Sequence, residues 1–316
     1  MSAPLPIRDG VSPSCVVLPP GPWPTMAAFL VAHFPGVSAQ TWAQRITAGE
    51  VVDALGQAVT QQRAYQSQTK LYYYRLPEQP EPQVPFEETV LYQDAHLVVA
   101  DKPHFLPVTP SGNYLQETLL VRLRRKLGLD DLTPLHRIDL DTAGLVLFSV
   151  QVGSRAAYHR LFAQRAVYKS YRAVVPWPAG YALPGVRQSR LQESAHFMQM
   201  QEVDGVPNSE THLRLLHAGN GLATLALQPV TGRKHQLRVH CAALGLPILH
   251  DGIYPVLTPQ GSNDYSRPLQ LLAQSVAFVD PVTGQARTFA SQRRLLFDAS
   301  PDSMPAAGAG PAIMPP

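Results

Sequence analysis

A polar segment at residues 136–144 places charged side chains directly before the apolar run 145–148, which is typical of a buried strand. Asp139 follows His136 by three positions, and Asp141 lies at the next position of the same parity. In an extended segment the two carboxylates would share one face about 7 Å apart, a spacing that suits a paired-carboxylate hydrolase. In a turn they would be ordinary turn and capping residues. The segment alone leaves both alternatives open.

A second cluster of charge begins a predicted helix over 233–244. Lys234 and Arg238 are four positions apart, so they share one face of such a helix. His235 and His240 lie about 140° apart around it, which makes them a poor pair of metal ligands. They are interpreted either as contacts to RNA or supporting residues of a site, or as ordinary half-buried histidines. The helix continues into an apolar segment, which indicates that its basic end lies at the edge of a core.

A third element is the predicted strand 167–175, in which basic and aromatic side chains alternate. Lys169 and Tyr171 lie on one face of this strand, whereas Tyr168 and Arg172 lie on the other. Such interleaving suits phosphate binding and the stacking of nucleic-acid bases. Tyrosine is also a good strand former, so a structural role remains open for Tyr168.

The composition limits the classes of protein to which the chain can belong. Its 316 residues, 45% of them hydrophobic, allow one main domain with a small accessory unit. The net charge of +3 is weak support for nucleic-acid binding, and the basic cluster 122–126 is either a solvated helix face or part of a polyanion-binding surface. Only Cys15 and Cys241 are present, and no stretch approaches the roughly 20 apolar residues of a membrane span. We expect a protein of the reducing cytoplasm, without a disulfide, a zinc site or a membrane anchor.

The pattern of elements predicts an α+β protein. From residue 87 several successive strands are too close in sequence for helical crossovers, which favours a mixed, largely antiparallel central sheet with flanking helices. A small α+β module with two helices and two short strands precedes it. The predicted parts are a flexible leader at 1–24, the module at 25–76, a proline-rich linker at 77–86, the main domain at 87–298 and a disordered tail at 299–316.

Together, the three charged elements in this order resemble the RluA-type pseudouridine synthase family, whose pattern is HRLDxxTSG, then KxYxA, then TGRxHQIRxH. Two flanking pieces fit as well, an early Lys-Pro element and a GxPIxGDxxY segment. The matching stretches are 136–144, 169–173, 231–240, 101–103 and 245–254. The resemblance covers roughly residues 87–298, and the ordered set of motifs is far more specific than any one of them. The chain departs from the pattern at Ile138, Ala143 and His250.

This resemblance implies a pseudouridine synthase fold and an enzyme that isomerises uridines of ribosomal or transfer RNA to pseudouridine after flipping the base out of its stack. It implies Asp139 as the acting carboxylate, Tyr171 as the residue that stacks on the base, and Arg238 as the partner of Asp139. No redox step occurs, so no cofactor and no metal are expected. The implied RNA contacts are Lys102, His136, Arg137, Arg233, Lys234 and His235.

The module at 25–76 is similar in layout to the ribosomal-protein-type RNA-binding module that precedes some family members, but it has few basic residues. We expect RNA as the partner, a monomer, and no obligate protein partner. The chemical route stays open between attack of the carboxylate on C1′ and removal of the 2′ proton to give a glycal.

Two other functions compete with this one. A noncatalytic RNA-binding protein would fit the basic helix and the module, but it gives no reason for Asp139, Tyr171 and Arg238 to occur together. A glycoside or nucleoside hydrolase that uses Asp139 and Asp141 would release free uracil or sugar instead of isomerised RNA. The products of the reaction discriminate between these alternatives.

Overall fold

The computed structural model describes residues 3–75, 80–258 and 264–297. The chain forms two compact units, each assembled from two stretches of sequence. The first unit comprises Met1–Gln83 and Thr109–Asp130, and the second comprises Val84–Val108 and Asp131–Pro316. Within the described residues, no helix is long and apolar enough to cross a membrane.

The first unit combines a three-stranded antiparallel sheet, in the order β1-β3-β2, with three helices. Its elements are β1 Ser14–Val17, α1 Met26–His33, α2 Ala39–Thr47, β2 Val51–Asp53, β3 Lys70–Tyr73 and α3 Leu119–Leu127. The predicted cap of the second helix is confirmed, because the Ser38 hydroxyl accepts the Thr41 N–H at 3.0 Å. Its core includes Phe29, Leu30 and Trp42 from the helices and Leu71 and Tyr73 from the sheet.

The division into units differs from the sequence-based boundaries in two places. Residues 14–17, assigned to the leader, form β1, which pairs with β3. Residues 109–130, assigned to the main domain, belong to the first unit. There the buried Arg124 donates hydrogen bonds to the Gly10 carbonyl and the Ser12 hydroxyl. The basic cluster 122–126 therefore is not wholly a solvated face. The tail at 299–316 and residues 77–79 of the linker lie outside the described residues.

The second unit contains an 11-stranded sheet in the order β10-β9-β11-β12-β8-β13-β7-β5-β4, with β14 beside β13 and β6 beside β7. Among the described residues its pairings are antiparallel apart from β13 with β7, which run parallel. The predicted α+β class with a mixed, largely antiparallel sheet is confirmed. The strands are β4 Thr89–Gln93, β5 Leu97–Lys102, β6 Thr133–Pro134, β7 Ala143–Ser149, β8 Tyr168–Pro176, β9 Val186–Glu193, β10 Met200–Val203, β11 Ser209–Gly219, β12 Leu222–Pro229, β13 Leu271–Val279 and β14 Ala286–Ala290.

Two helices accompany this sheet, α4 Val152–Ala163 and α5 Gln236–Ala243. Leu237 and Cys241 of α5 share a buried apolar cluster with side chains of β8 and β12, so the sheet fixes the position of the helix. The prediction that this helix begins at residue 233 is wrong. His235 has a φ of 55°, in the left-handed region, and this backbone excludes Lys234 from the helix. Lys234 and Arg238 therefore do not share a helical face.

Gly144 sets the spacing between β7 and β13. Its φ is 110°, and a Cβ atom placed on it would lie 2.3 Å from the carbonyl oxygen of Ala273. Only glycine allows the two backbones to approach this closely. Ala273 pairs with Gly144 on one side and with Tyr171 of β8 on the other. The start of β7 and Tyr171 consequently lie in one row across three neighbouring strands.

Candidate active site

The polar segment before β7 forms a turn. The Thr142 N–H donates to the Asp139 carbonyl at 3.1 Å, and Lys102 Nζ donates to the Leu140 carbonyl at 3.0 Å. Asp139 and Asp141 therefore do not form the extended pair on one strand face that a hydrolase would use. The turn instead presents the Asp139 side chain, which is 28% exposed, at the beginning of a buried strand.

Arg238 lies in the first turn of α5 and is 1% exposed. Its Nη1 donates to Asp139 Oδ2 at 3.3 Å, which places the expected pair of carboxylate and guanidinium together. Its Nε and Nη2 donate to Asp251 Oδ2 and Oδ1 at 2.8 and 2.6 Å. Asp141 Oδ2 lies 4.0 Å from Nη2. One guanidinium therefore serves three carboxylates, and its strongest contact is with Asp251.

Sequence reasoning gave no role to Asp251, although it lies in the segment that matches the GxPIxGDxxY motif. Its side chain is fully buried, and Oδ1 also accepts the N–H groups of Ile253 and Tyr254 at 2.8 and 3.0 Å. His250 stands where the motif has glycine, and its φ of 63° lies in the region that glycine favours. The motif therefore supplies the carboxylate that anchors Arg238.

The charge of Arg238 is secured by its surroundings. Burial disfavours the guanidinium cation, but the hydrogen bond and charge of Asp251, together with the charges of Asp139 and Asp141, raise the pKa of Arg238 above its ordinary value. Burial raises the pKa of Asp141, and Arg238 and Lys102 oppose that rise. Arg238 remains a cation at every physiological pH, so Asp139 always has a positive neighbour.

Tyr171 lies on β8, and burial followed by the negative charge of Asp139 raises its pKa well above the ordinary value. The phenol is therefore neutral at physiological pH. Tyr171 pairs with Ala273, and Ala273 pairs with Gly144 at the start of β7, directly after the turn that carries Asp139. The structure thus places Asp139 of the turn in contact with Arg238 of the helix, and Tyr171 in the row of strand residues that leads to the start of β7. These residues are 99 positions apart at the widest.

His235 lies on the other side of the Asp139 carboxylate, with Nε2 3.9 Å from Oδ1. Its Nδ1 is 2.9 Å from the Tyr254 hydroxyl, which also accepts the Met200 N–H at 2.7 Å. Burial lowers the pKa of His235, and the charge of Asp139 opposes this shift. His235 therefore supports the carboxylate from within the protein, which differs from the RNA contact expected of it.

Two further residues expected to contact RNA are structural. Lys102 is completely buried and donates to the carbonyls of Pro103, Leu106 and Leu140 at 2.9, 2.7 and 3.0 Å. Burial lowers the pKa of Lys102 to about 7, and the negative charges of the nearby carboxylates oppose this shift. Because Lys102 is inaccessible to a macromolecule, its assignment as an RNA contact is corrected to one of holding the turn in place.

His136 is fixed in the same manner. Its Nε2 accepts the Leu147 N–H at 3.1 Å, and its ring stacks on Phe162 with the ring centroids 5.0 Å apart. Burial lowers the pKa of His136 to about 3, so the ring is a neutral acceptor. Its assignment as an RNA contact is likewise corrected to a structural role.

The remaining predicted contacts are accessible. Arg137, Arg233 and Lys234 are exposed cations that flank the turn and the start of α5. Arg233 Nε donates to the Asn208 carbonyl at 3.2 Å, and Lys234 Nζ donates to the Phe197 carbonyl at 3.0 Å. Each side chain has further N–H groups that can donate to a ligand. Arg137 precedes Asp139 by two positions, and Arg233 and Lys234 directly precede His235, which contacts Asp139; we call these three residues the basic rim.

His240 and Gln236, also in the basic segment, are buried in the protein. His240 lies within 3.1 Å of the hydroxyls of Ser189, Ser209 and Thr211, and burial lowers its pKa to about 4. The Gln236 amide oxygen accepts the Arg233 N–H and the Thr231 hydroxyl, which fixes the loop before α5. In the stretches that the structure describes, no group of three or more potential metal ligands is close enough to hold an ion.

Comparison with known proteins adds a second line of support. Residues 96–243 match the family model described as RNA pseudouridylate synthase. The chain is 31% identical over 218 residues to an uncharacterized RNA pseudouridine synthase of Synechocystis sp., covering 68% of this chain and 74% of that protein. It is 33% identical over 207 residues to the dual-specificity RNA pseudouridine synthase RluA of Haemophilus influenzae, covering 63% and 90%.

Solved structures share the same fold. Human RNA pseudouridylate synthase domain containing 1 superposes with a TM-score of 0.52 at 22% identity, covering 67% of this chain and 85% of that chain. The human domain-containing protein 4 superposes with a TM-score of 0.51 at 26% identity, covering 65% and 88%. The region that matches the family model includes the turn, β8 and α5, which carry Asp139, Tyr171 and Arg238, whereas Asp251 lies beyond it.

Proposed function

Since this chain belongs to the RluA-type RNA pseudouridine synthase family, whose members are isomerases acting on RNA, we propose that it isomerises uridines of ribosomal or transfer RNA at the Asp139 carboxylate. The contact of Arg238 Nη1 with Asp139 Oδ2 at 3.3 Å is the observation that carries this assignment. It joins a partly exposed carboxylate to a buried cation, so a fixed positive charge lies beside the group that would act on the ribose.

The reaction breaks the bond between C1′ and N1 of the uridine, turns the uracil, and joins its C5 to C1′. C5 loses a proton and N1 gains one, so the product is an isomer of the substrate. Asp139 acts either as the nucleophile at C1′ or as the base that removes the 2′ proton, and both routes require a carboxylate anion. Tyr171 stacks on the uracil as a neutral phenol, because burial raises its pKa. Asp251 and His235 hold Arg238 and Asp139 in position.

The target uridine enters the site after leaving its stack, and the rest of the RNA binds through its backbone. Arg137, Arg233 and Lys234 are the accessible cations that would bind these phosphates. We further propose that the protein acts as a monomer in the reducing cytoplasm, where its two free cysteines would remain reduced.

Tritium release tests this function. RNA labelled with tritium at uridine C5 is isolated from cells that lack the gene and is incubated with the purified protein. We expect the wild-type protein to release tritium and Asp139→Asn to lose at least about 1,000-fold in rate, while both bind the RNA with similar affinity. Asp204→Asn, which changes an exposed carboxylate, is the matched control and should retain full activity.

Product analysis completes the test. Digestion of the treated RNA should yield pseudouridine without free uracil. Free uracil would instead identify a hydrolase, and full activity of Asp139→Asn would refute the assignment of this residue. Mapping the new pseudouridines then identifies the RNA and the position that is modified.

A further inference from the structure

The turn that joins β9 to β10 presents an exposed aromatic pair. We call residues 194–199 the hairpin tip. Phe197 is 78% exposed, and the ring of His196 stacks on it with centroids 5.4 Å apart and ring planes inclined by 19°. The Ser194 hydroxyl accepts the His196 N–H at 3.1 Å, and the Gln199 N–H donates to the His196 carbonyl at 2.8 Å. The two rings are therefore displayed on an ordered turn.

Hydrogen bonds attach the hairpin tip to the site. Gln199 Nε2 donates to the Ile253 carbonyl at 2.7 Å, two residues after Asp251. Lys234 Nζ, on the basic rim, donates to the Phe197 carbonyl at 3.0 Å. The Met200 N–H, directly after the tip, donates to the Tyr254 hydroxyl. The Tyr254 hydroxyl also contacts His235, and His235 contacts Asp139. The hairpin tip is therefore connected to the Asp139 carboxylate through Tyr254 and His235.

We propose that the hairpin tip stacks on an unpaired base of the RNA next to the target uridine, with Lys234 and Arg233 binding the phosphate of that nucleotide. This inference rests on the proposed function and assigns a substrate-recognition role to Phe197 and His196. A planar, solvent-facing aromatic ring beside exposed cations is the combination that binds single-stranded nucleic acid.

A nucleotide fits this surface better than a second protein does. The apolar part of the tip is essentially one side chain, whereas a stable protein interface buries about 1,200 Å² or more. Lys234, which contacts the tip through the Phe197 carbonyl, and its neighbour Arg233 are exposed cations that can bind a phosphate, whereas the exposed Glu193 precedes the tip on the side of β9. Flipping costs least where the target base is mismatched or already single-stranded, and unpaired bases beside such a target are the ones on which an aromatic side chain can stack.

Substitutions at Phe197 test the proposal, with the tritium-release assay run over a range of RNA concentrations. Stacking is worth about 1–3 kcal/mol per base, so Phe197→Ala should raise KM about 5- to 150-fold, while kcat changes less than about twofold. Phe197→Leu, which keeps an apolar group without a ring, should show the same loss. Phe197→Trp should retain the wild-type KM. Val206→Ala is the matched control, since Val206 is also 78% exposed but lies beyond β10.

A direct binding measurement separates this proposal from the proposed function. Fluorescence anisotropy of a fluorescein-labelled oligouridylate should show a similar loss of affinity for Phe197→Ala and Phe197→Leu and none for Phe197→Trp. One outcome is that the binding depends on the aromatic ring but the wild-type protein releases no tritium. This outcome would refute the isomerase function and retain the stacking role. Tritium release by the wild type with unchanged KM in both variants would refute the stacking role alone.

Two other outcomes would also overturn it. A loss confined to kcat would mean that the tip acts by supporting Tyr254 and His235. A change of oligomeric state in Phe197→Ala, measured by size-exclusion chromatography with light scattering, would identify the tip as a contact between copies of the chain.

Discussion

Replacing the buried Asp251 by asparagine should lower the activity of the site without changing any residue that contacts the RNA. The wild-type carboxylate accepts two hydrogen bonds from Arg238 and two from the backbone of residues 253 and 254. The asparagine oxygen can still accept the backbone N–H groups. Its NH2 group then faces Arg238 Nε at the position of Oδ2, 2.8 Å away, and two donors meet.

The expected loss of stability follows from the burial of both partners, since the side chain of Arg238 is 1% exposed and that of Asp251 is fully buried. Breaking such a pair from one side costs about 3–5 kcal/mol. Asp139 and Asp141 remain near the guanidinium at 3.3 and 4.0 Å, which favours the lower end of that range, about 3 kcal/mol. For a unit of this size the midpoint of thermal unfolding should fall by about 6–12 °C. A guanidinium displaced by about 1 Å should lower kcat about 100-fold.

Differential scanning fluorimetry and the tritium-release assay measure these two effects on the same preparations. Asp204→Asn serves as the control for the loss of one negative charge at the surface. The KM for RNA should change less than about twofold, because the Asp251 side chain is inaccessible to the substrate. A variant that melts within about 2 °C of the wild type and keeps its kcat would refute the anchoring role of Asp251.

Two further predictions follow from the packing of the second unit. Gly144→Ala places a Cβ atom 2.3 Å from the Ala273 carbonyl at a φ of 110°, so it should destabilise the unit by at least about 2 kcal/mol in urea unfolding, and an unchanged midpoint would contradict this. Burial lowers the pKa of His240 from 6.5 to about 4, so the folded state binds fewer protons than the unfolded state between these values. The contribution of His240 to the free energy of unfolding is fully present above pH 6.5 and falls by up to about 1.4 kcal/mol per pH unit towards pH 4. In His240→Gln, the free energy of unfolding should therefore depend less steeply on pH over this range. Equal slopes in the variant and the wild type would disprove the linkage.

Local signals made part of the fold predictable. Ser38 precedes a helix whose first turn needs an acceptor for its free N–H groups, and the structure contains that cap. The alternation along 167–175 placed Tyr171 on a strand, and the ordered motifs selected Asp139 and Arg238, which lie 3.3 Å apart. The cap and the strand were predictable because each signal is contained within a few residues, whereas the choice of Asp139 and Arg238 depended on the resemblance to a known family.

The missed features depend on contacts between distant residues. Lys102 looks like a surface cation in the sequence, but its ammonium is saturated by three carbonyls, including that of Leu140, 38 positions away. Asp251 takes its role from Arg238, which lies 13 positions earlier. His235 ends the loop in a left-handed conformation that residue propensity opposes, so the predicted start of α5 at residue 233 is three residues too early. Contacts with residues that are not neighbours in the sequence determine all three features.

Arg238 is shared unequally between Asp251 and Asp139, and this leaves Asp139 accessible for the role that we propose for it. Asp251 takes the two-point contact through Nε and Nη2 and is fully buried, whereas Asp139 receives a single, longer contact from Nη1 and keeps 28% of its side chain exposed. A bidentate pair with Asp139 itself would bind both of its oxygens and hold them away from a substrate. Because Asp251 fixes the guanidinium, Asp139 needs only one oxygen for the charge contact, and Oδ1 remains available on the side of His235. The reactive carboxylate is therefore the less tightly held of the two.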